Sequence, residues 1–425
     1  MNIQHPPRSF SKTILLLTVV LSIASRSADW TGWRGPGALG VSPSSTVPVK
    51  WSFETGTLWK TELPGAGGSS PIVWGDQIYV TAYTGYGVPD QPPGEMKDLY
   101  RHLLCLNRSD GRVIWSNKVT AVLPEQEKVR DHGYASSTPV ADHDRVYAFF
   151  GKSGVFAFSH TGKQLWRADV GDGTHGWGSA SSLVLHKDLM IVNASVESGA
   201  LIALDRATGR EVWRTPGMKE SWNTPLLVPV GGGRTELVVA IFGKVLGLNP
   251  DSGESLWSCD TGIGWYMVPS LVNQGDMVYC IGGRTGGGLA VKAGGRGDVT
   301  QSHRAWTMKK GSNVSSPILH EGHLYWVHEQ LGIVNCARAD TGELVYEERL
   351  SRAGQVYASP ILAGGNLYVL SRSGTVFVIA AQPKFELLAT NPLGDRSRFD
   401  ASPILEGDRL LIRSDRSLHC IGLKP

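Results

Sequence analysis

At 425 residues, with 41% hydrophobic and 19% charged residues, the chain has ample apolar material for a packed core and lacks the composition of a disordered protein. Lys and Arg number 41 against 38 Asp and Glu, a net of +3; the first 28 residues carry Arg8, Lys12 and Arg26 with no acid, so the remainder is neutral (3 − 3 = 0). Such a balance argues against a nucleic-acid binder or a polybasic membrane-surface protein.

Taken in chain order, Arg8 and Lys12 precede an apolar run over residues 13–21, and small residues follow at Ser22, Ala24, Ser25, Ser27 and Ala28. This is the order of a secretory signal, and the run is too short to span a bilayer. Residues 1–28 are expected to be that signal, cleaved after Ala24 or Ala28, with 29–56 an N-terminal extension. No Cys lies near the cleavage region, which argues against a lipid anchor, and no later segment is long enough for a membrane helix. The mature protein is expected to be exported, to the periplasm or beyond, without a transmembrane segment.

From residue 57 onward the chain repeats itself. Strings of small-Ser-Pro-apolar type start at Ser70, Thr138, Ser181, Thr224, Pro269, Ser316, Ser359 and Ser402. From 138 to 402 six steps cover 264 residues, a mean of 44, whereas the first step, 70 to 138, is 68 and carries insertions. Each string leads through a tight polar turn to a second apolar run, as in Gly75-Asp76 before Ile78 or Gly364-Gly365-Asn366 before Leu367. A third run ends in a Gly with an aromatic four residues on: Gly111 with Trp115, Gly162 with Trp166, Gly209 with Trp213, Gly253 with Trp257, Gly342 with Tyr346. With 52 Gly to interrupt helices and 14 Trp recurring at intervals, this pattern predicts four antiparallel strands per period, an eight-bladed all-β propeller. The eighth start leaves room for only three strands. An N-terminal strand around Thr57-Leu58-Trp59-Lys60 is expected to complete that blade and close the ring.

The best copy of the repeat, Ala203-Leu204-Asp205-Arg206-Ala207-Thr208-Gly209-Arg210-Glu211-Val212-Trp213, resembles the quinoprotein (PQQ-type) propeller motif A-x-D-x-x-T-G-x-x-x-W. The copies near Trp306 and Leu388 have lost the Thr-Gly turn. The opening Asp29-Trp30-Thr31-Gly32-Trp33-Arg34-Gly35-Pro36 is similar to the start of exported propellers from planctomycete-like bacteria. The resemblance spans about residues 57 to 423 and implies blades with tryptophans stacked between them, but not an activity. Among such proteins the chain is similar to the BamB-type outer-membrane assembly factors. The quinone-dependent dehydrogenases of this fold imply another set: an adjacent-Cys disulfide, a stacking Trp, and a calcium site that includes an Asp. No adjacent Cys pair occurs in this sequence.

The chemical candidates are few. Cys105, Cys336 and Cys420 fall where other blades carry Ala157, Ala203, Gly247 and Ala290, a slot for a small buried side chain; Cys259 and Cys280 are left open between thiols and a disulfide. The Gly-rich stretch 282–288 lacks the Lys-Ser/Thr of a phosphate loop and reads as a hairpin, and the 12 His show no metal spacing. Neither a metal nor a catalytic residue is expected.

Blade topology places both first-blade insertions, about 83–101 and 120–132, on one face. That face is expected to receive Tyr134, Trp177, Trp222, Trp265, Tyr266, Tyr357 and Phe399, which precede the inner strands, together with His132 and His175. Loops between second and third strands add Lys152, Lys244, Arg284, Arg372 and Arg416, a set that would favour an anionic ligand were it to converge. The opposite face offers short turns only. The resulting expectation is a monomeric, non-catalytic envelope propeller that binds a protein or small ligand, needs no cofactor and has no nucleic-acid partner. The alternatives are a PQQ- and calcium-dependent alcohol or sugar oxidoreductase, and a carbohydrate-binding propeller resting on the aromatic ring.

Overall fold

The computed structural model describes residues 1–2, 29–42 and 46–423; the expected signal, apart from Met1 and Asn2, lies outside them. Eight sheets, each built on four antiparallel strands and the fourth blade's gaining a short parallel fifth, form an eight-bladed propeller. The inner strands are Ile72–Trp74, Val140–Ala141, Val184–His186, Leu226–Val230, Val272–Gln274, Ile318–His320, Ile361–Ala363 and Ile404–Glu406, one at each repeated string. Strand Thr57–Glu62 pairs with Ser417–Ile421, so the last blade is completed from the N-terminal side and the ring closes as expected. Second and third strands are buried throughout their middles, whereas fourth strands such as Glu211–Pro216 are exposed except at the aromatic.

That aromatic locks neighbouring blades. Trp115, Trp166, Trp213 and Trp306 each donate Nε1–H to a turn carbonyl of the next blade: His160, Arg206, Pro250 and Ala339, at 3.0, 3.2, 3.1 and 2.9 Å. The indole face lies on the Gly of that turn. At Gly253 (φ 74°) an added Cβ would stand 2.5 Å from Trp213 Cε3, so both the left-handed backbone and the contact require glycine. Trp59 of the closing strand lies on Gly111 in the same way. Across the third and fourth strands each aromatic faces the small slot: Cys105 opposite Trp115, Ala157 opposite Trp166, Ala203 opposite Trp213, Cys336 opposite Tyr346, Cys420 opposite Trp59. The register slips there in each of these pairs, a β-bulge repeated from blade to blade. The slot cysteines are therefore packing residues, and burial pushes the Cys420 and Cys105 thiols up to about 12.

Where the Thr-Gly turn is missing, the lock changes. Blade five replaces it with residues 293–303, whose Gly297–Asp298 pairs parallel with Trp257 and Ser258 of blade four. Trp257 has turned inward, almost fully buried, and donates to Glu236 Oε2 at 2.7 Å rather than to the next blade. Blade seven instead presents Phe385, edge-on to Tyr346 at 5.7 Å. Cys259 and Cys280 belong to the core between blades four and five as free thiols, so the two are not bridged.

A second ring runs around the channel. Backbone N–H groups at Ser70, Thr138, Ser182, Thr224, Ser270, Ser316 and Ser359 each donate to the hydroxyl of the following blade's inner string, at 2.9–3.3 Å. At the seam between blades eight and one the fully buried Arg413 reaches Ser69 O at 3.0 Å and Ser69 Oγ at 2.5 Å, and Ser70 Oγ has no hydrogen-bond partner.

Candidate functional site

The central channel opens on the face with the insertions as a cup of about 1070 Å³, counted out to open solvent. Its walls follow from the two-residue period of the inner strings. Two positions before each ring hydroxyl stand Gly68, Ser136, Ala180, Trp222, Val268, Val314, Tyr357 and Asp400, and every one lines the cup. Trp177, Tyr266, Asn313, His132 and Asp131 add to the rim, and below them lie the hydroxyls of Ser182, Thr224, Ser270, Ser316, Ser359 and Ser402.

The floor comes from outside the repeat. Residues 29–42 run across the other end of the channel, where Val73 and Ala141 donate to Trp30 O and Thr31 O, and Leu362 to Gly40 O, each at 2.8 Å. Arg34 Nη2 donates to Pro317 O at 2.6 Å, and Trp33 Nε1 to the Ser270 hydroxyl at 3.0 Å. The extension thus closes the channel and makes the cup blind. The expectation of bare short turns on that face is corrected: a tryptophan segment packs over the channel's end there.

The rim is cross-braced. Arg372 of blade seven donates through Nε to Asp400 at 2.6 Å and through Nη2 to Asp131 at 3.2 Å, and its guanidinium covers one face of Tyr357 at 4.0 Å. Asp400 also meets Arg398 at 3.0 Å. Burial opposes the Arg372 charge, yet Asp400 raises its pKa overall. Burial holds the His132 pKa below its usual value, which favours a neutral ring, and Nδ1 lies 2.5 Å from Ser136 Oγ. Trp222 meets His175 edge-on at 5.0 Å and Tyr266 at 5.8 Å, and Arg130 lies over Trp177 at 5.2 Å.

Of the expected residues, the structure brings Trp177, Trp222, Tyr266, Tyr357 and His132 together in the cup, with Arg372 as their brace. The others lie elsewhere, each for a physical reason. Phe399 is fully buried, three positions before its ring hydroxyl and so on the wrong side of the strand, over Gly374. Tyr134 donates to Gln126 O at 2.7 Å and Lys152 Nζ to Pro124 O at 2.7 Å, so both hold the second insertion down. His175 accepts from Trp177 N at 3.1 Å behind the aromatic wall. Trp265 is exposed on the outer rim, with Arg284 over its ring at 5.9 Å. Lys244 faces Asp260 at 3.8 Å, and Arg416 pairs with Asp90 of the first insertion. The five cations do not converge. Asp131, Asn313, the ring hydroxyls and Trp33 are cup residues that sequence reasoning missed; the period of two counted back from each hydroxyl would have excluded Phe399.

Beneath the second insertion lies a further buried group. Arg101 pairs with Glu125 of the insertion, and Glu197 accepts the Ser179 hydroxyl proton. Burial pushes the Glu197 carboxyl up from 4.5 to about 7, against the pull of Ser179. The folded state therefore keeps a proton that the unfolded chain releases, and stability should fall from about pH 4.5 to about pH 7, by on the order of 3 kcal/mol. Glu197→Gln should flatten that slope of melting temperature against pH. An unchanged slope would place the proton elsewhere.

Comparison with known proteins agrees with this architecture. A solved structure of BamB from Moraxella catarrhalis superposes with a TM-score of 0.61 at 14% identity, covering 86% of this chain and 99% of that one. Quinohemoprotein alcohol dehydrogenase from Comamonas testosteroni gives 0.66 at 11% identity, covering 95% of this chain and 82% of that one. Polyvinylalcohol dehydrogenase from a Pseudomonas species is 25% identical over 215 residues, 44% of this chain; the chain spans only 29% of that relative's length. The structural likenesses speak for the fold alone. The family model described as outer membrane protein assembly factor BamB matches residues 96–221 and 197–424, most of the propeller, and the chain belongs to that family.

Proposed function

We propose that this chain is an exported, non-catalytic propeller that holds a ligand or a protruding segment of an envelope protein in the aromatic cup. The observation that carries this reading is the cup itself: four aromatic side chains, Trp177, Trp222, Tyr266 and Tyr357, converge on a blind pocket at the face that also bears both insertions. Membership of the assembly-factor family supports an envelope setting, as does the signal-like N-terminus; among the described residues no helix is long and apolar enough to cross a membrane. The test is capture from an envelope extract. Trp177→Ala with Tyr357→Ala should lose whatever wild type retains, while Asp188→Asn with Glu321→Gln, in turns of the opposite face, should retain it. The reverse pattern would overturn the assignment.

A second reading, a quinone-dependent oxidoreductase, is favoured by the similarity to polyvinylalcohol dehydrogenases. The donor set speaks against it. Both cup carboxylates, Asp131 and Asp400, are committed to Arg372 and Arg398. The five cysteines are buried in blade cores. Among the described residues, the acidic and His groups close enough to share a metal, Asp142, His143 and Asp144, sit on a hairpin of the opposite face. The cup residues do not fit a calcium-bound quinone. Calcium- and PQQ-dependent alcohol oxidation by the purified protein would overturn the non-catalytic reading.

A further inference from the structure

We propose that the cup takes the end of a neutral saccharide chain. The inference rests on the reading of the cup as the binding site and names what binds there.

Charge comes first. The cup carboxylates Asp131 and Asp400 are paired with Arg372 and Arg398, the exposed Arg130 lies over Trp177 outside the cup lining, and His132 is held towards its neutral form. A charged ligand would have to break a pair or enter without a counter-charge, at the cost of desolvation. A neutral one need not.

Hydrogen-bonding capacity comes next. Each ring hydroxyl from Ser182 to Ser402 accepts a backbone N–H, Ser270 also the Trp33 indole N–H, and the hydroxyl protons have no protein acceptor among the described residues. At the wall Asn313 Nδ2 reaches the Tyr266 hydroxyl at 3.1 Å. The lower ring thus offers both hydroxyl protons and remaining acceptor lone pairs. A ligand whose groups are each donor and acceptor, a polyol, satisfies both.

Shape selects among polyols. Trp177, Trp222, Tyr266 and Tyr357 line the cup, and an aromatic face, with its negative quadrupole, suits the C–H face of a pyranose ring. Trp33 and residues 29–42 seal its floor, so a polymer cannot thread through the channel and only a chain end can enter.

The test is isothermal titration of the purified protein with cellotriose, maltotriose and chitotriose, and with a short polyvinyl alcohol that carries hydroxyls but no ring faces. Saturable binding of at least one trisaccharide, tighter than about 1 mM, is expected. Trp177→Ala should weaken it at least ~10-fold with an unchanged melting temperature, and Tyr357→Phe should leave it nearly intact. No saturable binding by any of the three, or binding indifferent to Trp177→Ala, overturns the proposal. Binding of polyvinyl alcohol alone overturns the saccharide and leaves the cup as the site. Capture of an envelope protein that depends on Trp177 while the sugars fail does the same.

Discussion

A chain that begins after Lys60 is expected to aggregate, whereas one that begins at Asp29 should behave as the full-length mature protein. The shorter chain lacks the strand that pairs with Ser417–Ile421, so blade eight would present an unpaired, fully buried-type strand to solvent. It also loses Trp59 from the Gly111 turn of blade one and the Lys60–Asp395 ion pair at 3.0 Å. The Trp59 contact lies at the seam, where the hydroxyl ring is already broken at Ser70 and bridged by Arg413, and the ion pair ties the closing strand to the link between blades seven and eight. An intermediate chain beginning at Val47 keeps the strand but loses the channel floor, and should remain monomeric with a lowered melting temperature and an open cup. Size-exclusion chromatography and thermal melts separate the three. A stable monomer from the shortest chain would show that the ring does not depend on the N-terminal strand.

Trp213→Ala should destabilise the propeller by about 3–5 kcal/mol. Trp213 is buried between blades three and four, rests on Gly253 and gives its N–H to Pro250 O at 3.1 Å. Truncation opens a cavity at a blade boundary and leaves that carbonyl without its donor, and the small Ala203 opposite cannot fill the space. Gly253→Ala should destabilise as well, because it forces a Cβ into the same indole at φ 74°. Denaturant unfolding checks both. Wild-type stability in Trp213→Ala would show that blade contacts do not run through the repeated aromatic.

The propeller was legible because each element of it is local and repeated. Strand length, turn chemistry and the Gly-to-aromatic spacing are set within about 44 residues and recur, so blade count, closing strand and the small slot filled by Cys105, Cys336 and Cys420 could be read from one chain. The departures were legible as losses but not in their outcome: that the missing Thr-Gly near Trp306 would turn Trp257 inward onto Glu236 depends on what occupied the freed space. The cup was legible only in part. Trp222 and Tyr357 precede their strands at the lining position, but Phe399 one residue out of phase is core, because a single step along a strand reverses the side chain. Lys152, Lys244 and Arg416 share a repeat position and yet find different partners, since loop side chains follow the insertions around them rather than the repeat. Least legible was the floor. Residues 29–42 carry no repeat, and their place across the channel is decided by hydrogen bonds to blades one, two, five, six and seven, contacts that exist only once the ring has closed.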